Sequence, residues 1–378
     1  MNSSANINRI ACLDGLRGLA ALWVLVGHAH ILTGFRVPII GDPDLGVDLF
    51  VMLSGFLMVF HYQLRRNKEP WETPSTWTVF WVRRFFRIAP LYYVMLFAAL
   101  TLGPIIYDAR MVIDAFNVVP PQPASRYLDD SATNYLLHLS FMSGFSPTYG
   151  YRTALPDWSI GLEMQFYLAL PFIMVIVGRL GWVKSILGVV ATGVVTAYVV
   201  SKLGYHFPMP TFLPLKMHVF AAGMILAAAL GVSNRRAYAY AALACVFVLI
   251  PIGGSMRPMH EIVRLLLVIA FFVLVHAPRL PSMISGIAQT ISDHLGNRFF
   301  HTLGELSFGA YLVHLLIMQP AVAYLIRNFE MSDPARWLVT LIITLPLTYA
   351  MATIGYNLIE IQGQKIGRRL TRPRTAAA

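Results

Sequence analysis

Long apolar runs separated by short polar breaks organise this chain. The runs fall at residues 16–35, 47–63, 78–102, 158–178, 183–200, 211–231, 237–252, 262–276, 303–327 and 337–359. A helix needs about 20 mostly apolar residues to cross the hydrocarbon core of a bilayer. The pattern therefore predicts an all-α fold, a polytopic transmembrane helical bundle of about ten spans. The stretch 135–145 is also apolar but short, and it predicts an interfacial or re-entrant helix. Two longer segments, 103–157 and 277–302, lie between spans. Long connections of this kind are often functional.

Composition agrees with the pattern. The 378 residues are 57% hydrophobic and 12% charged, whereas soluble domains carry about 25% charged residues. Mean hydropathy is +0.62. Ten spans with short loops use most of the chain, so a single integral-membrane domain over residues 1–378 is expected, with no appended soluble domain. The first apolar run is followed by a second and reads as a true span, not a cleavable signal peptide. Cys12 and Cys245 form neither a disulfide framework nor a CxxC pair.

Net charge is +11. In a membrane protein such an excess marks basic flanks on the cytoplasmic side, not nucleic-acid binding. With both termini in the cytoplasm, the clusters Arg65, Arg66 and Lys68, Arg83, Arg84 and Arg87, Arg235 and Arg236, and Lys365, Arg368, Arg369 and Arg372 all fall inside. The bias predicts cytoplasmic termini and an even number of spans. Counting 135–145 as a span would invert everything after it. The segment around Asp129 is then expected outside. No internal repeat is visible, which weakens a secondary-transporter reading.

The informative residues are those that interrupt the apolar runs, because an ionisable group at a span centre costs roughly 2.5–3.5 kcal/mol on insertion scales. The first span carries Asp14, Arg17 and His28. From Arg17 to His28 is three turns plus about 20°, so the two share one stripe about 16 Å apart along the axis. They can line one cavity, or His28 can be a buried histidine satisfied by a neighbouring helix. Ser307, Tyr311 and His314 form a second stripe, readable as a site or as hydrogen-bonded helix packing. Ser159 can cap the helix that opens at Trp158, with Glu163 a carboxylate near its positive end. Asp48 can be a helix-start residue. Arg84 and Arg87, spaced i,i+3, project to one side and can clamp phosphates, although positive-inside anchoring alone also accounts for them. There is no P-loop, GxGxxG or GxSxG motif and no metal-binding His/Cys cluster, so no metal or nicotinamide cofactor is expected.

Together these residues resemble the acyltransferase 3 family of integral-membrane acyltransferases. The likeness runs through Leu13-Asp14-Gly15-Leu16-Arg17-Gly18, with His28 ten residues past Gly18, and through Gly46-Val47-Asp48-Leu49-Phe50 to Leu53-Ser54-Gly55-Phe56. It continues in Arg84-Phe85-Phe86-Arg87, Trp158-Ser159-Ile160-Gly161-Leu162-Glu163 to Tyr167, Ser307-Phe308-Gly309-Ala310-Tyr311-Leu312-Val313-His314 and Tyr356-Asn357-Leu358-Ile359-Glu360. The resemblance implies an acyl-CoA donor, usually acetyl-CoA, taken from the cytoplasm. It implies an acceptor hydroxyl on a carbohydrate handled across a bacterial inner membrane. His28 then looks like the catalytic histidine, Arg84 and Arg87 like the donor-binding RxxR motif, and Arg17 like the N-terminal arginine. Two features depart from the family. Many members append a soluble hydrolase-like domain, and the last motif usually has proline where Gln362 stands.

The expected activity is O-acyl transfer with His28 as general base or as a covalent acyl carrier. Glu163, Asp48 or Asp14 is expected to orient its ring. Arg17, Arg84 and Arg87 are expected to bind the donor. Asp14, Trp158, Ser159, Tyr311 and His314 are candidates for binding the acceptor. The leading alternative is a transporter or flippase whose polar stripe conducts; a non-catalytic scaffold leaves the intramembrane charges without purpose.

Overall fold

The computed structural model describes residues 10–254 and 257–372. In chain order the helices are α1 (Cys12–Thr33), α2 (Pro43–Arg65), α3 (Pro74–Thr101), α4 (Gly103–Phe116), α5 (Ser125–Leu128), α6 (Ala132–Leu139), α7 (Trp158–Leu180), α8 (Trp182–Lys202), α9 (Met217–Ala229), α10 (Asn234–Val248), α11 (Pro258–Val275), α12 (Ser282–Leu295), α13 (Arg298–Asn328), α14 (Asp333–Gly355) and α15 (Ile361–Leu370). Among the described residues there is no strand.

Each of the ten apolar windows holds a helix, and eight of these helices are long and apolar enough to cross a membrane. The other two, α9 and α10, have 13 and 15 residues. Helix α9 is buried at every position. It is apolar on all sides because protein surrounds it on all sides. Glycines let it approach α2 closely: a Cβ on Gly223 would lie 1.9 Å from the Met52 carbonyl oxygen, and one on Gly55 would lie 2.2 Å from that of Phe220. Small residues at such crossings are how helices pack where no hydrophobic gradient drives them together.

Helix α1 sits between α2 and α13, which pack along its length. Its N-terminal end is again a backbone contact, with a Gly304 Cβ position 2.1 Å from the Asp14 carbonyl. Facing outward, Phe97, Val195, Leu266 and Ile342 are all exposed. An apolar exterior around a core that holds the polar groups suits a lipid surround. Prolines inside α3, α7, α13 and α14 are tolerated because neighbouring helices and side chains re-satisfy the freed backbone groups. Between α14 and α15 a π turn, Tyr356–Glu360, shifts the helix register. Such turns are frequent at functional sites.

In segment 103–157, α6 has eight residues and the apolar stretch ends in a short turn at Ser143–Phe145, so it does not cross. The segment is nonetheless tied down. The Asp157 carboxylate accepts from Thr153 at 2.7 Å and from Tyr92 at 3.1 Å, and lies 3.1 Å from His138 Nδ1. Asp129 pairs with Arg152 at 2.5 Å. Partial burial works against its charge, but hydrogen bonds from Ser131 and Arg152 outweigh it and hold the carboxyl below its usual value. Its neighbour Asp130 is exposed, which supplies a test of orientation. In a variant lacking Cys12 and Cys245, Asp130→Cys is expected to react with a membrane-impermeant maleimide in intact cells stripped of the outer envelope. Labelling only after permeabilisation would invert the topology.

Candidate active site

Five helices line a small cavity of about 80 Å³ within the bundle. Helix α1 contributes Arg17, α2 contributes Ser54, α7 contributes Ser159 and Glu163, and α13 contributes Ser307 and Tyr311. Val47, Phe50, Val51 and Phe220 supply an apolar wall. The acid is held on one oxygen: Ser54 donates to Glu163 Oε1 at 2.7 Å and Tyr167 donates to the same atom at 2.5 Å. Tyr167 stands one turn after Glu163, so α7 itself sets this pair.

At the basic end of the bundle lies a separate basin of about 580 Å³, lined by Arg65, Lys68, Arg83, Arg84, Arg87 and Arg368, with Glu69 the only acid lining it among the described residues. Glu69 pairs with Arg83 at 2.6 Å and Arg65 at 3.7 Å. Lys68, Arg84, Arg87 and Arg368 have no ion pair among the described residues. Helix α3 projects Arg84 and Arg87 into the basin, as the i,i+3 spacing predicts. The Arg84 guanidinium lies 5.8 Å from both the Phe80 and Tyr167 ring centres. Tyr167 thus touches Arg84 on one side and Glu163 on the other, joining basin to cavity. Arg17 lies within electrostatic reach of Arg87, Asp14, Glu163 and Glu360.

At the other end of the cavity stands Tyr311. Its hydroxyl donates to the Pro156 carbonyl at 2.7 Å and therefore accepts from Ser159, also at 2.7 Å. Ser159 does not cap α7; it lies within the first turn and reaches across to α13. Behind Tyr311 are two imidazoles. The His314 ring centre is 6.0 Å from that of Tyr311 and 5.0 Å from that of His28. His28 Nδ1 lies 3.0 Å from the Val24 carbonyl and 3.1 Å from His314 Nε2. His28 itself is not among the residues lining the cavity, and Arg126 and Arg110, from the segment 103–157, are within its electrostatic reach.

The predicted residues therefore divide. Arg17, Ser159, Glu163 and Tyr311 meet at the cavity, and His28 and His314 meet behind it. Glu163, Asp48 and Asp14 make no hydrogen bond to the His28 ring. Asp48 is buried in a network with Lys216 and Arg264, the latter 2.6 Å away, which ties α2 to α9 and α11. Asp14 is in the first turn of α1, 3.5 Å from His301. Trp158 is buried in the apolar core beneath α7. Sequence reasoning did not single out Tyr167, Ser54 or Arg368, and it gave Glu360 little weight because Gln362 stands where the family has proline. The i,i+4 spacing of Glu163 and Tyr167 was a usable signal. Glu360 is buried, with Oε2 lacking a hydrogen-bond partner among the described residues, and the π turn that ends at it could not be read from its neighbours.

Comparison with known proteins bears on this geometry. The family model described as "Acyltransferase domain", that of the acyltransferase 3 family, matches residues 10–353. The acyltransferase MdmB of Streptomyces mycarofaciens is 25% identical over 82% of this chain and 79% of its own. The peptidoglycan O-acetyltransferase OatA of Listeria monocytogenes is 27% identical over 47% of this chain and 25% of its own. A Caenorhabditis elegans protein named regulator of hypoxia-inducible factor 1 is 28% identical over 52% of this chain and 36% of its own. The match thus covers only a minor part of the latter two. No solved structure matches. A cavity walled by the motif residues, with a family match across nearly the whole chain, places this multi-pass membrane protein in the acyltransferase 3 family and makes it a membrane-embedded acyltransferase.

Proposed function

We propose that the chain moves an acetyl group from acetyl-CoA to a hydroxyl of an extracytoplasmic or lipid-linked carbohydrate, in the inner membrane of a bacterium. The observation that carries this reading is the basin of cations joined through Arg84, Tyr167 and Glu163 to the internal cavity. Coenzyme A is a strongly anionic donor with a long thin arm. Arg84, Arg87, Lys68 and Arg368 would meet its phosphates as multidentate or point charges. Arg17, further along the path, would meet what passes into the bundle. The serines and Tyr311 give the cavity the few hydrogen-bonding groups a polar head would need.

In the proposed reaction the acceptor hydroxyl oxygen attacks the thioester carbonyl carbon. His28 takes the hydroxyl proton as the new C–O bond forms. The C–S bond then breaks, and the thiolate leaves with the proton returned by the imidazolium. Donor and acceptor become ester and free thiol with no net proton released. The name of one relative supports acetyl as the group and a cell-wall glycan as the acceptor class. The apolar helices support a membrane location, and the bacterial source of that relative is in keeping with the inner membrane proposed here.

Membrane vesicles carrying the protein are expected to move label from acetyl-labelled acetyl-CoA into envelope glycan, and mass spectrometry of glycans from a deletion strain is expected to lack that acetyl mass. Donor consumption with no glycan difference between strains would reassign the acceptor. Absence of any acetyl-CoA binding would remove the donor.

A further inference from the structure

Two imidazoles meet where the usual arrangement for a histidine base is a ring and a carboxylate. The two carboxylates nearest in role are engaged elsewhere: Glu163 by Ser54 and Tyr167, Asp48 by Lys216 and Arg264. The hydrogen bonds around the two rings have forced directions. A carbonyl oxygen only accepts. His314 Nδ1, 2.7 Å from the Tyr311 carbonyl, therefore carries a hydrogen. His28 Nδ1, 3.0 Å from the Val24 carbonyl, carries one too. A neutral imidazole has only one ring hydrogen, so Nε2 of each ring is bare. His314 Nε2, 3.1 Å from His28 Nδ1, then accepts a second arm of the His28 hydrogen. His28 Nε2 keeps its lone pair and has no hydrogen-bond partner among the described residues.

We propose that His314 is the positioning residue of the His28 base: it holds His28 in the Nδ1–H tautomer, leaves Nε2 to receive the acceptor proton, and stabilises the imidazolium that results. This rests on the reading of His28 as base given above. When Nε2 takes the proton, the Nδ1–H bond to His314 becomes charge-assisted, shorter and about twice as strong. The stabilisation appears only once charge has developed, so it acts on the transition state and not on donor binding. A neutral ring does this without a second ionised group in the membrane interior, where each is expensive. Helix α13 sets the partner's own orientation. The Tyr311 carbonyl, one turn back, fixes the His314 hydrogen, while the Tyr311 hydroxyl, fixed by Pro156 and Ser159, faces the cavity. Complete burial of His314 keeps water from replacing it as the acceptor.

The test compares His314→Leu with His314→Gln in vesicles from a deletion strain, using acetyl-labelled acetyl-CoA and the endogenous envelope glycan as acceptor. His314→Met is a second apolar replacement should leucine prevent folding. The leucine variant is expected to lose roughly 10- to 100-fold in kcat, the effect of losing one hydrogen bond to a charged group, with KM for acetyl-CoA unchanged. Glutamine, whose side-chain oxygen can accept where Nε2 does, is expected to restore most of that loss. Nitrogen-15 spectra of histidine-labelled protein are expected to give a single Nδ1-protonated His28 in the parent and a tautomer mixture in the leucine variant. Normal kcat in the leucine and methionine variants would overturn the proposal, as would equal loss with glutamine or an unchanged His28 spectrum. A raised KM alone would make His314 a substrate contact instead. None of these outcomes depends on the His28→Ala result, which tests the base itself.

Discussion

His28→Ala is expected to insert, fold and bind acyl-CoA normally while losing acyl transfer by about 10²- to 10⁴-fold, the range for removal of a general base. The expectation follows from where the ring stands. His28 shares its helix face with Arg17, three turns away, and Arg17 lines the cavity. Ser159 and Tyr311 line that cavity, and His314 stands between Tyr311 and the His28 ring. The ring belongs to the far end of the path, well away from the cations expected to hold the donor, so its removal leaves that basin intact. Among side chains only histidine has an unperturbed pKa, about 6.5, close enough to neutrality to gain and return a proton within one turnover. The check is acetyl transfer to envelope glycan and acetyl-CoA affinity, both measured on the same purified variant. Near-normal transfer would remove the proposed base. Joint loss of folding and donor binding would make His28 a packing residue. Trapping of acetyl on the wild-type ring would favour the covalent route over direct attack.

Much of this was readable from the chain, for physical reasons. A bilayer accepts few backbone forms, so apolar run length translates directly into helices; α1, α2, α3, α7, α8, α11, α13 and α14 all sit where their runs do. Helical spacing likewise put Arg84 beside Arg87 and Ser307 beside Tyr311. Two things were not readable. The first is depth: α9 looks like a span by hydropathy, yet its 13 residues are wholly buried by α2, α8 and α10. Hydropathy cannot distinguish lipid from a protein interior. The second is pairing between distant helices. Asp48 carries the same residue-level signal as Glu163, a carboxylate in an apolar run. Only Lys216 and Arg264, more than 160 positions later in the chain, reveal it as one corner of an ion network. The same distance hid Arg368, whose tail position reads as a solvated flank until α15 folds it over the α3 arginines.

That placement of Arg368 bears on how the donor arginines should behave. Arg84→Ala or Arg87→Ala is expected to weaken acyl-CoA binding roughly 10- to 100-fold each, since a hydrogen bond to a charged group contributes about 1.5–3 kcal/mol. Their mere number argues the other way, because six cations line one basin. The pairing resolves it. Arg65 and Arg83 are already engaged by Glu69, whereas Arg84 and Arg87 have no ion pair among the described residues and are the two nearest the cavity path through Tyr167 and Arg17. Lysine at either position keeps the charge but loses the planar fork that matches phosphate, so Arg84→Lys and Arg87→Lys are also expected to impair binding, less than alanine does. Arg83→Lys, which keeps its partner Glu69, serves as the control and is expected to be near neutral. Calorimetric titration of the purified variants with coenzyme A checks all of these. If the double lysine variant binds with normal affinity, the arginines serve only to anchor the inner face through their charge. If the Arg83 variant falls as far as the others, the basin acts as a diffuse field, and no clamp is built from α3.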